Sequence, residues 1–486
     1  MNDQVESPGG GAQRKGDRIF FATLALAWLF ALVHAALQFT HVETADTGPY
    51  LVGLDQNCYF AYAHSLLFDG DLDFRNQYEF LAKSQPPSTA EVFQQLLAAN
   101  SARPVNQFNI GTGLAALPAL GVVRVLLAGA AGAGVIHPVS PFASVYPLVF
   151  CLMNVTFGFG ALACCYLFLR RWFSASACAV GCWGVLLCGP MLYYIWAEAA
   201  MSHLTGAFFT SAALLCWSRW TESNYVPRKA AFAFLAGFCA AFAAVVRPYD
   251  APVSIVLVQP ILAAVLQRRS IRSAAILTSV AALGAIVGAA PQLIAWKLQF
   301  GNWVVNTTDH PFPWNSPWAA HVLFSRRHGL FFWSPGLLIA IVVLAISTRR
   351  TALPAAWLLA IFAAVTWMAG TWWFYWIGVS FGMRTYVDHP VPFAFGFAAS
   401  AAWLIRKMGN PGRNVAWECV ALFALINIHL VLCFRGGVIW VDGPLYWNHT
   451  IASGKKYKNE LRRELSDWTD FTPGRRASLF SAPTGF

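Results

Sequence analysis

Side chains able to move a proton or hold an anion are scarce in this chain of 486 residues, where charged residues make up only 11%. They fall in a few short segments between apolar runs. The first is Gly53-Leu-Asp55-Gln56-Asn-Cys58-Tyr59, which leads on to Asp69-Gly-Asp71-Leu-Asp73. Glu198, Ser202 and His203 follow an apolar run, and Arg247-Pro-Tyr-Asp250 ends another. Later come Asp309-His310-Pro311, Ser325-Arg326-Arg327-His328-Gly329, Ser380-Phe-Gly-Met-Arg384 and Asp388-His389-Pro390. Carboxylates and imidazoles can transfer protons, and guanidinium groups can hold phosphate-like charge. Each segment also has a plainer reading. Asp55 opens a helix expected over 56–67, where a carboxylate caps free N–H groups. Exposed arginines anchor helices at a membrane interface, and Trp372–Trp376 suits an aromatic belt. Their common location decides between the readings, because ionisable groups near a bilayer are costly and usually functional.

Several familiar sites are excluded. Asp69–Asp73 has the start of a calcium loop, but Phe74 replaces the required glycine and Phe80 stands at position twelve. Gly111-Thr-Gly113 follows no strand, so it is not a dinucleotide loop. No Walker motif, Ser-His-Asp arrangement or HExxH occurs. Ten of the 11 cysteines lie in apolar segments and only Cys58 in a polar one, without zinc-like spacing. They read as small hydrophobes.

The elements that must position these residues are membrane helices. Hydrophobic residues make up 57% of the chain, and the charged fraction is about half that of a soluble protein. The net charge of +11 does not indicate nucleic acid, because the basic residues sit in short clusters between apolar runs. Residues 1–18 form a basic tail. Ile19 to Phe39 is too long for a signal-peptide core and is expected to stay as a first helix with the N-terminus inside. Further apolar runs cover about 142–169, 176–196, 200–217, 230–246, 251–267, 273–294, 329–347, 353–370, 386–404 and 414–434. With the clusters at 170–171, 228–229, 268–272, 349–350 and 406–413 inside, all the segments named above lie outside. That requires 108–136 to form a re-entrant or juxtamembrane element, broken at Pro118, rather than a single crossing. The tail after 435 then lies outside, although it is itself basic. The expected fold is all-α and polytopic, with about 11–13 transmembrane helices spanning 19–434 and a helical first external loop over 40–107.

The segments LDQNCYFAYAHSLLFDGDLDFRNQY, SRRHGLFFWSP and SFGMRTYVDHPVP carry a resemblance across about 19–405. They look like those of bacterial integral membrane glycosyltransferases of the C-type (GT-C) fold, in the branch of protein O-mannosyltransferases and aminoarabinose transferases. The resemblance implies an enzyme of the bacterial inner membrane that takes a sugar from a polyprenyl-phosphate donor. It implies inversion at the anomeric carbon and an external first-loop aspartate, here Asp55, as general base. Arg384 and Arg247, with Arg326 or Arg327 behind them, are the implied partners of the donor phosphate. Glu198 and His203, with Tyr59, resemble the family's acceptor- or metal-assisting positions, so a divalent metal is possible although no cofactor is firmly implied. Gln56 departs from the pattern, since glutamate commonly follows the aspartate in this branch. The acceptor is open between lipid, glycan and protein. Two other readings use the same external cavity: a non-catalytic transporter or assembly component for lipid-linked glycans, and a polysaccharide ligase or polymerase. A transporter requires charges midway along its helices and an inverted repeat.

Overall fold

The computed structural model describes residues 10–41, 51, 53–99, 103–223, 225–267, 270–307, 312–349, 354–440 and 442–452. Asp309-His310-Pro311 and the basic tail beyond 452 lie outside the described residues. Where described, the chain is helical and without strands. Helix α1 runs Gly10–His41, and the segment after it carries α2 (Leu54–His64), a π-helical turn (Ser65–Asp69), α3 (Arg75–Ser84), α4 (Pro87–Ala99) and α5 (Gly111–Gly132). The bundle continues with α6 (Val145–Leu169), α7 (Ala175–Cys188), α8 (Met191–Trp196), α9 (His203–Glu222) and α10 (Val226–Val246). A 3₁₀ stretch over Pro248–Val258 passes directly into α11 (Gln259–Leu266), and α12 spans Ile271–Phe300. Two short helices, α13 (Ala319–Phe324) and α14 (Leu330–Trp333), precede α15 (Pro335–Ser347) and α16 (Ala355–Ala369). A 3₁₀ turn at Arg384–Asp388 leads into α17 (Pro390–Met408), α18 (Asn410–Arg435) and the short α19 (Trp447–Ala452). Seven of the described helical segments are long and apolar enough to cross a membrane, and three shorter ones are apolar.

Contacts sort the helix ends into two groups. At one end Arg170 pairs with Asp17 at 2.7 Å, tying α6 to α1, and Arg171 pairs with Glu222 at 2.8 Å, tying α6 to α9. At the other end the first-loop helices meet the far ends of the same bundle. Gln299 of α12 hydrogen-bonds the Tyr62 hydroxyl at 3.0 Å, and Phe60 packs edge-on against Phe150 of α6. His34 stacks on Trp196, bringing the far end of α1 to the same level. Helix α10 lies directly on α12, because a side chain at Gly237 or Gly284 would collide with the facing backbone. Close approach through small residues is how helices gain contact where lipid removes the hydrophobic drive.

The expected break at Pro118 does not occur. Residues 111–132 form one continuous helix with Pro118 inside it. A missing N–H is tolerated in apolar helices when neighbouring groups resatisfy the freed carbonyl. Both halves of α5 nevertheless touch the polar end. Gly111 abuts the backbone of Val245 and Val246, and Gly113 abuts Tyr59 of α2. Further along, Arg124 donates to the Leu67 carbonyl and lies over the Phe68 ring, and Phe68 meets Tyr146 at the start of α6. The helix expected over 176–196 is interrupted at Gly189-Pro190, giving α7 and α8.

Candidate functional site

Helix α2 presents two polar residues one turn apart. Its N-cap is Gly53 (φ 98°), a left-handed position, so Asp55 sits in the first turn and is not the capping residue. Asp55 Oδ2 lies 3.5 Å from Arg384 Nη1, with side-chain exposures of 31% and 13%. Tyr59 is buried and its hydroxyl meets that of Ser202. Glu198, from the turn between α8 and α9, accepts from the Tyr193 hydroxyl at 2.9 Å. Burial holds its carboxyl above the usual glutamate range, with Asp55 adding to the rise and Tyr193 and Arg384 opposing it. Asp55, Tyr59, Glu198 and Arg384 thus share one site, built by α2, the α8–α9 turn and the 3₁₀ turn before α17.

Beneath it lies a buried cluster. Arg247 Nε pairs with Asp388 Oδ2 at 2.8 Å, and His203 Nδ1 donates to Asp388 Oδ1 at 2.8 Å. Arg247 Nη1 reaches Ser202 Oγ at 3.3 Å and His203 Nε2 at 3.4 Å, so that nitrogen accepts and the imidazole is neutral. Asp250 lies beside Asp388, both carboxyl groups facing Gly206, and 3.2 Å from His389 Nε2. Two buried carboxyl groups this close beside a single guanidinium do not both ionise, so the pair holds one proton between them. Gly206 leaves room for the pair: a Cβ there would stand 2.6 Å from Asp250 Oδ2 and 3.2 Å from Asp388 Cγ.

This changes the expected part of two residues. Arg247 and His203 are buried and already bonded to Asp388, so neither is a free ligand for a donor phosphate or a metal. Arg326 and Arg327 diverge. Arg326 is exposed, facing the Tyr446 ring, whereas Arg327 lies over Trp376 at 3.8 Å and pairs with Asp442 at 3.0 Å. Among the described residues no group of three or more His, Cys, Asp or Glu side chains is arranged to hold a metal. The donor set does not fit one either, since both cluster imidazoles already face carboxylates. The sequence reading named Asp250, Asp388 and His389 only as polar neighbours. Their common signal, an acid within four residues of a basic side chain at a helix end, became specific only once the segments met.

Fold and site together define a polytopic helical membrane protein with an ionisable site at one end of its bundle. No family model matches the sequence, and no curated protein matches it. Among solved structures, ArnT from Cupriavidus metallidurans bound to undecaprenyl phosphate overlaps with a TM-score of 0.47 at 12% identity, over 95% of this chain and 74% of that one. The apo state of the same protein gives 0.46 at 15% identity, over 94% and 76%. The oligosaccharyltransferase of Archaeoglobus fulgidus, in complex with zinc and sulfate, gives 0.49 at 14% identity, over 88% of this chain and 56% of that one. All three TM-scores lie below 0.5, and such loose likenesses say nothing of this chain's chemistry.

Proposed function

We propose that this protein is a membrane glycosyltransferase that moves a sugar from a polyprenyl-phosphate donor to a hydroxyl acceptor on the extracytoplasmic face. The observation that carries the reading is the meeting of Asp55 and Arg384 at 3.5 Å, from distant parts of the chain, beside Glu198 and Tyr59. The segments bearing Asp55 and Arg384 are two of those that carry the family resemblance. In the proposed reaction the Asp55 carboxylate takes the acceptor's O–H proton while that oxygen attacks the anomeric carbon. The bond from that carbon to the phosphate oxygen breaks on the opposite face, inverting the centre and leaving the lipid phosphate with the electron pair. Arg384 then compensates the departing charge, with Arg327 as a second guanidinium nearby. Arg247 serves as internal support for the Arg384–Asp388 turn. Helix α5 lies along the outer face, leaving eleven crossings, and the basic end faces the cytoplasm.

The buried charges favour an enzyme over a transporter. Arg247, Asp250, Asp388 and His203 cluster at helix ends on one side, whereas a carrier places its ionisable groups near the midplane between repeats. Membranes containing the wild-type protein are expected to transfer labelled sugar from an undecaprenyl-phosphate sugar, and Asp55→Asn to lower the rate by about 10²–10⁴-fold, the usual contribution of a general base. Unchanged transfer by Asp55→Asn would remove Asp55 as the base.

A further inference from the structure

The turn before α14 is tied down at several points. Ser325 Oγ accepts from the Arg327 N–H at 3.0 Å and contacts the Tyr375 hydroxyl at 3.2 Å, and the Gly329 N–H closes the turn onto Ser325 O at 2.9 Å. The Arg326 carbonyl accepts from Trp333 Nε1 at 2.9 Å and from the Leu445 N–H at 3.0 Å. Within this frame His328 takes φ 63°, a left-handed conformation uncommon outside glycine, and its side chain is fully buried. Backbone held in such a region marks functional sites more often than chance.

The hydrogen bonds fix the ring's tautomer. His328 Nδ1 lies 2.8 Å from the Trp376 carbonyl, which can only accept, so Nδ1 carries the hydrogen. The Ser380 hydroxyl, 3.1 Å from the same nitrogen, can give its own proton to the Gly382 carbonyl at 3.2 Å. Nε2 is therefore a lone-pair acceptor, and among the described residues it has no hydrogen-bond partner. Burial, with Arg384 and Arg327 nearby, lowers the ring's pKa to about 4, so the lone pair stays available at neutral pH. Three N–H donors of the neighbourhood are likewise buried without a partner: Arg327 Nε, Arg384 Nε and Trp376 Nε1. Guanidinium donors suit phosphate oxygens, but an imidazole lone pair suits only an O–H or N–H. A ligand that satisfies both kinds of group carries an anion and a hydroxyl together.

We propose that His328 Nε2 accepts a hydroxyl of the donor's sugar, so that His328 distinguishes a sugar-bearing lipid phosphate from the bare lipid phosphate. The inference rests on the glycosyl-transfer reading above. Its test is binding of undecaprenyl phosphate, and of undecaprenyl-phosphate glucose, mannose and N-acetylglucosamine, to the purified full-length protein in nanodiscs. Asn suits the variant, because it tolerates positive φ and its amide can still donate to the Trp376 carbonyl, yet it puts no atom at the Nε2 position. His328→Gly is the second variant, since glycine adopts φ 63° freely; gel filtration and melting check the fold of both. Wild type is expected to bind at least one sugar-bearing lipid at least about tenfold more tightly than the bare lipid. Both variants should lose that preference while binding bare undecaprenyl phosphate within about twofold of wild type. A retained preference, or equal weakening for all four lipids, overturns the role of His328. A wild type that binds the bare lipid with no preference for any sugar also overturns it, leaving the lipid-phosphate site in place. A wild type that binds none of the four removes the glycosyl-transfer reading as well.

Discussion

Arg247 keeps its charge inside the protein because Asp388 faces it at 2.8 Å, and the closeness of Asp250 to Asp388 calls for one proton held between the two acids. Two carboxyl groups, one guanidinium and one shared proton sum to zero. Asparagine imitates a protonated carboxyl, so Asp250→Asn should cost less than about 1 kcal/mol. Asp250→Asn combined with Asp388→Asn strands a buried arginine and should cost about 3–5 kcal/mol, a coupling that a double-mutant cycle of thermal unfolding in detergent will read. Glu198 gives a pH prediction. Its folded-state pKa is raised above the ordinary 4.5 by burial, so the folded protein binds more protons than the unfolded chain as pH rises from that value, and stability falls there. Glu198→Gln should therefore flatten the decline in Tm above about pH 4.5 relative to wild type. The residue types in these clusters were legible in the sequence, and so was their gathering at one end of the helices. Their pairings were not. His203 meets Asp388 across 185 positions and His389 meets Tyr249 across 140, and no local periodicity links such positions.

Helices were legible wherever apolar length exceeded a membrane's thickness, as in α6, α12 and α18. Reading failed where proline and glycine stood inside an apolar run. Pro118 leaves α5 whole, whereas Gly189-Pro190 separates α7 from α8. The difference lies before the proline: Leu117 continues the helix into Pro118, whereas Gly189 turns extended ahead of Pro190. The α10–α12 pair depends on bare backbone, so Gly237→Val should force the helices apart at about 1–3 kcal/mol. A Tm in detergent equal to that of wild type would show that the pair can slide without loss. The same substitution at Gly121, which has nothing within 4 Å of a built Cβ, should leave Tm nearly unchanged.

At the scale of the molecule, the contacts establish two ends, and the basic clusters predict which one faces the cytoplasm. A cysteine placed at Asn302 should react with a membrane-impermeant maleimide in intact cells, and one placed at Glu222 only after lysis. Labelling of both from outside would refute the threading. The 3₁₀ stretch has a further consequence, concerning reach. Pro248–Leu266 has 19 residues, which as a plain α-helix would extend about 28 Å, short of a hydrocarbon layer of about 30 Å. Winding the 11 residues of Pro248–Val258 at about 2.0 Å each and the eight of α11 at about 1.5 Å gives about 34 Å. A threefold winding also stacks every third side chain, and Asp250, Val253 and Val256, all buried, form such a column. One tightened turn type thus gives a short apolar segment the length a bilayer demands and keeps an acid in line with its buried apolar ridge.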